Sequence, residues 1–261
     1  MFDRFVALGD SLTEGVGDPD EARPNGVRGW ADRVAAELAQ GNPQLQYANL
    51  AIRGRKMKQV LAEQVPAAVE LRPDLVVLSA GGNDILRPRV DLDELVRDCA
   101  EVVAQLAATG AFVVIFTAFD GSFDPIYKTL RGRAATYNEY LREIADRHHG
   151  AVLDFWRLKQ FDDRRLWSWD RLHPSPLGHE LLAAEVLRVL GAPATIEVPG
   201  LGPAPIKPAT EQRRENIEWV TGFLLPWIGR RISGTSSGDG IDPKYPEYVL
   251  AHKLPDLVAA S

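Results

Sequence analysis

Short continuous apolar runs alternate with stretches in which apolar residues recur every three to four positions. Phe5–Leu8, Leu75–Leu78, Phe112–Phe116 and Ala151–Phe155 read as buried strands, with a shorter candidate at Tyr47–Leu50. Trp30, Val34 and Leu38 stand four apart within Arg28–Ala39, a helical stripe. Lys56–Leu71 is helical with weak periodicity and is interrupted by Pro66. Leu92, Leu95, Val96, Cys99, Val102, Val103 and Leu106 form the best amphipathic helix, closed by Gly110. Tyr137, Tyr140, Leu141 and Ile144 mark the next helix, and Leu182, Val186, Val189 and Leu190 the last before Gly191. The strand runs are apolar throughout rather than alternating, as burial on both faces requires. Five such strands between helices predict an α/β fold with a parallel sheet covered on both sides.

The pattern changes after Gly191. Pro193, Pro199, Pro203, Pro205 and Pro208 make 192–208 an extended connector. Glu211–Arg231 is helical, with Ile217, Val220, Leu224 and Trp227 on one stripe, and Pro226 is expected to kink or end it. Ser233–Gly240 reads as flexible. The expected organisation is a catalytic-type domain at 1–191 and, at 192–261, a Pro-rich connector, an amphipathic helix and a flexible tail. Three readings fit the apolar segment Phe223–Ile228: a packing helix, a lid, or a partner or membrane-surface helix suggested by Arg230 and Arg231. Docking on the rest of the chain is preferred, because exposed apolar patches of that size are unusual.

Composition narrows the class. Apolar residues are 45% of 261, enough for a sizeable core, and the net charge of −6 argues against a nucleic-acid binder. The single cysteine, Cys99, excludes an intrachain disulfide framework and a Cys-based zinc site, and its apolar stripe makes it a core thiol. The apolar run at Phe5–Leu8 is four residues, against roughly 7–15 in a secretory signal. No run approaches the roughly 20 residues of a membrane span. A cytoplasmic location without stable membrane insertion is expected.

Four short blocks follow predicted strands, where ligands bind in parallel α/β sheets. Gly9-Asp10-Ser11-Leu12-Thr13-Glu14-Gly15 presents Ser11 to a crevice, although a lone Ser there is as readily a helix cap. Asp10 reads as capping that turn, with Thr13 and Glu14 in the first turn of the following helix. Asn49-Leu50-Ala51-Ile52-Arg53-Gly54 offers a bare backbone N–H at Gly54. Gly81-Gly82-Asn83-Asp84 places an uncharged amide donor after a flexible turn, and alone reads as an ordinary Gly-Asn turn. Asp170-Arg171-Leu172-His173 puts a carboxylate three residues before an imidazole, within reach of Nδ1–H. Separately each is weak; together they contain a nucleophile, a base, an orienting acid and oxyanion donors, the parts of an acyl-transfer site. No His-Glu-x-x-His, phosphate-binding Gly-Lys-Ser/Thr or Gly-x-Gly-x-x-Gly motif is present. Trp167 and Trp169 either line a substrate pocket or only pack the loop that carries Asp170. His148, His149 and His179 are expected to be structural, and His252 solvated.

Gly-Asp-Ser-Leu at 9–12, Gly54, Gly-x-Asn-Asp at 81–84 and Asp-x-x-His at 170–173 resemble the four blocks of the GDSL, or SGNH, hydrolases, in the same order and over roughly residues 4–191. The resemblance implies a flavodoxin-like three-layer α/β/α sandwich with a five-stranded parallel sheet in the order 2-1-3-4-5. It implies a serine hydrolase of carboxylic esters, with Ser11, His173 and Asp170 as the triad. Ser11, Gly54 and Asn83 would then supply the oxyanion hole. No metal or organic cofactor is implied, and the partner is a small-molecule ester. A carbohydrate O-deacetylase, a lipid esterase or thioesterase, and a non-catalytic binding module on the same fold stay open, as does the oligomeric state.

Overall fold

Six strands form one sheet: β1 (Arg4–Gly9), β2 (Gln46–Asn49), β3 (Leu75–Ser79), β4 (Phe112–Phe116), β5 (Ala151–Leu153) and β6 (Tyr245–Leu250), in the order β5-β4-β3-β1-β2-β6. The computed structural model describes residues 1–256, so the end of the 192–261 region lies outside the described residues. The first five strands pair in parallel and in the expected order. The sixth corrects the five-stranded expectation: β6 runs antiparallel to β2 at the sheet edge, with Tyr47 opposite Val249 and a register shift before Asn49. Pro246 is tolerated there because an edge strand has free N–H positions.

The one-turn helix α1 (Ser11–Glu14) follows β1, and α2 (Gly29–Gly41) precedes β2. The short α3 (Met57–Gln59) runs through a π-helical turn at Val60–Gln64 into α4 (Val65–Leu71). Next come α5 (Gly82–Ile85), α6 (Leu92–Ala107), α7 (Pro125–Lys128), α8 (Arg131–Arg147) and α9 (Pro176–Val189). In the C-terminal region α10 (Ala209–Trp219) passes through a second π turn at Val220–Leu224 into α11 (Leu225–Ser233). Pro66 and Pro226 therefore do not end their helices. Each stands just past a π turn whose wider i→i+5 bonding, Val65 N–H to Val60 O and Leu225 N–H to Val220 O, absorbs the ring and the missing donor.

Alternate strand residues face opposite helix layers. Phe5, Ala7, Val77, Val114 and Phe116 pack with Trp30, Val34, Leu182 and Val186 of α2 and α9. Val6, Leu8, Val76, Leu78 and Ile115 pack with Val65, Cys99, Val102 and Leu141 on the α4, α6 and α8 side. Both faces of the sheet are thus closed and helices flank it on each side. Burial pushes the Cys99 thiol up to about 12, the property of a core residue rather than a nucleophile.

The C-terminal region is part of this architecture. The Lys244 ammonium, fully buried, donates to Asp32 Oδ2 at 2.9 Å and to the Arg28 carbonyl at 2.6 Å. Ser233–Gly240, expected to be flexible, ends in a turn closed by Ser236 N–H to Asp239 Oδ2 at 2.7 Å. Among the described residues no helix is long and apolar enough to cross a membrane.

Candidate active site

The site begins at the end of β1. Gly9 has φ +139°, and a Cβ there would run into the Ser79 carbonyl of β3, so only glycine lets the two strands finish side by side. Gln64 grips the same residue, accepting from Gly9 N–H at 2.9 Å and donating to Gly9 O at 2.8 Å. Asp10 caps α1 by accepting from Leu12 N–H at 3.2 Å. Ser11 is therefore the first residue of a helix, where its own N–H has no intrahelical partner.

Asp170 and His173 come from the opposite side, on the loop before α9. The Asp170 carboxylate accepts from the backbone N–H of Leu172 and of His173, both at 3.0 Å, and its Oδ2 lies 2.6 Å from His173 Nδ1. His173 Nε2 lies 2.8 Å from Ser11 Oγ. Burial works to raise the Asp170 pKa, but the His173 bond and charge and the two backbone donors outweigh it and hold the carboxyl below its ordinary value. An ionised Asp170 keeps the proton of the neutral imidazole on Nδ1 and leaves Nε2 free to accept from Ser11.

Asn83, in α5, stands across Asp10. Its amide donates to Asp10 Oδ2 and to the Arg55 carbonyl, both at 3.1 Å. Burial raises Asp10 to about 6, against the lowering effects of the Leu12 bond and the His173 charge. Asn83, Ser11 and His173 line one pocket. Gly54 does not line it. Gly54 adopts φ +79° on the neighbouring loop, one residue before the Arg55 carbonyl that Asn83 holds, and Ser236 lies against its Cα.

The pocket occupies about 920 Å³, mouth included. Leu12, Phe116, Phe119, Tyr127, Leu130 and Trp167 provide much of its wall. Phe119 packs on Trp167 at 4.8 Å between ring centroids, and the Trp167 N–H is satisfied by the Phe161 carbonyl at 2.7 Å. Trp167 thus both lines the pocket and packs the loop. Trp169 instead points outward, its ring edge-on to Phe223 of the second π turn at 6.0 Å.

Several supports were not legible in the blocks. Glu14, fully buried, accepts from the Arg53 guanidinium and from the Arg53 backbone N–H at 2.6 Å, fixing the loop that carries Gly54. Asn49 donates to the Thr13 carbonyl at 3.0 Å and to Tyr47 Oη at 3.1 Å, and Tyr47 donates to Asp32 at 2.9 Å, so the pair Lys244–Asp32 connects to the nucleophile turn. Trp219 donates its indole N–H to the Asp170 carbonyl at 2.7 Å. His179 is structural: it accepts from Trp30 N–H at 3.1 Å, bonds the Val16 carbonyl at 3.1 Å, and is pushed down by burial. Asp84 accepts from Met57 N–H at 3.0 Å, at the start of α3.

A family model described as the GDSL-like lipase/acylhydrolase family matches residues 7–181. An acetylxylan esterase from Geobacillus stearothermophilus is 26% identical over 215 residues, covering 72% of this chain and 94% of that protein. Among solved structures, LAE5, an alpha/beta hydrolase enzyme from the metagenome of Lake Arreo, Spain, is 25% identical, with a TM-score of 0.61 over 72% of this chain and 95% of its own. TesA, at 23% identity, shares the fold with a TM-score of 0.61 over 72% of this chain and 98% of its own. With the matched blocks spanning most of the sheet, the chain belongs to the GDSL-like lipase/acylhydrolase family and is a GDSL-type ester hydrolase.

Proposed function

We propose that this chain cleaves carboxylic esters of apolar acyl groups longer than acetyl, through an acyl-enzyme on Ser11. The observation that carries the reading is the unbroken line Asp170–His173–Ser11, with contacts of 2.6 and 2.8 Å, opening on a pocket walled by aromatic and aliphatic side chains. Ser11 Oγ attacks the carbonyl carbon while His173 Nε2 takes its proton. The tetrahedral intermediate collapses as His173 returns that proton to the leaving alcohol. Water, deprotonated by the same imidazole, then releases the acid. Asp170 holds the tautomer and stabilises the imidazolium. The developing oxyanion is met by the Ser11 N–H and the Asn83 amide, with the Gly54 N–H as the third donor once the loop meets substrate.

A second reading, a carbohydrate O-deacetylase, is favoured by the name of the curated relative. The pocket lining weighs against it, because an acetyl group leaves most of that apolar wall unfilled. A series of p-nitrophenyl esters from acetate to dodecanoate separates the two. Each methylene buried is worth about 0.8 kcal/mol, roughly fourfold, so kcat/KM should climb steeply beyond acetate before the pocket fills. A maximum at acetate would replace the long-acyl reading by the deacetylase one.

A further inference from the structure

The pocket wall carries one charge that the proposed chemistry does not use. Among the described residues that line the pocket, Arg131 is the only lysine or arginine. It is the first residue of α8, and Leu130 and Ala134 line the pocket with it. Its side chain is 41% exposed whereas Phe116, Tyr127 and Trp167 are buried, which puts it at the rim rather than the floor. Two of its nitrogens are clamped: Nε donates to Asp120 Oδ1 at 2.6 Å and Nη2 to Asp120 Oδ2 at 3.2 Å. The Trp156 ring centroid lies 5.5 Å from the guanidinium carbon. Nη1 has no hydrogen-bond partner among the described residues.

The clamp does not cancel the charge. Asp120, itself buried, also accepts from the Lys159 ammonium at 2.8 Å and from Ser122 N–H at 3.0 Å. Burial works to raise its pKa, but the Arg131 and Lys159 bonds outweigh it and bring the carboxyl down to about 2. Two cations therefore share one carboxylate, and the cluster keeps one net positive charge. The acids nearby in sequence are engaged elsewhere. Asp124 caps α7 by accepting from Ile126 N–H at 2.8 Å, and Asp154 pairs with Arg142 and Arg157 at 3.0 and 3.3 Å. A guanidinium already held at two nitrogens needs little further ordering to make a charge-assisted contact through the third. We propose that Arg131 is a specificity-determining residue, the rim cation that recognises a carboxylate borne by the ester substrate. The inference rests on the esterase reading above and adds an anionic end to an otherwise apolar substrate. Lys159 is not in the pocket lining; it sustains the surplus charge by sharing Asp120.

Two matched pairs of esters test it and locate the carboxylate. The p-nitrophenyl hemiester of adipic acid and its terminal amide differ in charge at the far end of the acyl chain. 4-Carboxyphenyl and 4-carbamoylphenyl butanoate differ in the leaving group. With each kcat/KM divided by the rate of alkaline hydrolysis, one pair should favour its anionic member about fivefold or more, as a charge-assisted hydrogen bond partly screened by solvent would. Arg131→Gln should bring that ratio close to one, and high salt should shrink it. Ratios near one in both pairs of the parent enzyme, or a ratio that survives Arg131→Gln, overturn the proposal. If Arg131→Gln does not fold, Lys159→Gln, which removes the surplus charge and leaves the pocket wall intact, decides in the same way. Failure to hydrolyse even the neutral esters would count against the esterase reading instead. Calorimetric titration of both pairs into Ser11→Ala protein then decides the role of Arg131 without turnover. Tighter binding of an anionic member, lost on adding Arg131→Gln, supports it, and equal binding overturns it.

Discussion

The indole N–H of Trp219 donates to the main-chain carbonyl of Asp170 at 2.7 Å, in a buried contact 49 positions apart in sequence. The next residue, Arg171, lies over the same indole at 4.7 Å and bonds Asn216 at 2.7 Å, although its own φ is +61°. At the far end of the same C-terminal region, Ser236 and Gly238 press on Gly54 and the Arg53 carbonyl. The region thus touches both the loop of Asp170 and His173 and the loop that carries Gly54, proposed as the third oxyanion donor. Trp219→Phe keeps a ring in place and leaves the Asp170 carbonyl unpaired. It should cost about 1–2 kcal/mol of stability and lower kcat several-fold with little change in KM. Denaturant melts and steady-state kinetics check this. An unchanged kcat would make Trp219 a packing residue only.

Asn83 has both amide hydrogens engaged, by Asp10 and by Arg55. These bonds hold the amide in place in the resting site, and one of them must be exchanged for the oxyanion when the intermediate forms. Asn83→Ala should lower kcat by about 10²–10³, the loss of one oxyanion donor. A loss below about tenfold, measured on a butanoate ester, would place Asn83 outside the oxyanion hole.

Asp10 and Asp170 respond to pH with opposite sign. Asp170 is held below its ordinary value, so its contribution to stability is present above that value and is lost as pH falls through the lowered one. Asp10 is raised from 3.8 to about 6, chiefly by burial. Its folded form binds the proton more tightly than the unfolded chain, so its contribution is present in acid and is lost as pH rises through about 6. Asp10→Asn removes that dependence. Relative to the parent, the variant should gain stability from pH 4 to pH 7.5, by up to about 3 kcal/mol. Urea unfolding at both pH values reads it. A constant difference would mean that Asp10 does not titrate in this range.

Lys244 and Asp32 are paired and almost wholly buried. Removing one partner leaves the other charge buried, which costs about 3–5 kcal/mol. Lys244→Met should therefore destabilise the whole fold in a single transition, because β6 is an edge of the same sheet. Loss of β6 alone, seen as amide exchange confined to Tyr245–Leu250 with the remaining sheet still protected, would contradict this coupling.

The parallel strands β1, β3 and β4 were legible because burial on both faces leaves an unbroken apolar run in each, and β4 begins and ends where that run does; β2 and β5 are less clear, because Asn49 and Asp154 interrupt their runs and β5 stops at Leu153. The edge strand β6 was not: its residues are partly exposed, and Pro246 argues against a strand until the edge position is known. The pairing of Asp170 with His173 was legible from a local spacing of three. The contact between His173 and Ser11 spans 162 positions and follows only from the strand order. Glu14 with Arg53, Gln64 on Gly9 and Trp219 on Asp170 had no local signal, because the partners of a buried polar group are set by topology rather than by neighbours in sequence. The prolines misled for a physical reason as well, since a π turn lets a helix run on through them.

The most direct measurement of the proposed chemistry is labelling with a fluorophosphonate, followed by peptide mass spectrometry. A nucleophile paired with His173 at 2.8 Å should give one stoichiometric adduct on the peptide containing Ser11. Labelling should be lost in Ser11→Ala and be severely slowed in His173→Ala. No adduct, or an adduct on another residue that survives Ser11→Ala, would contradict Ser11 as the nucleophile.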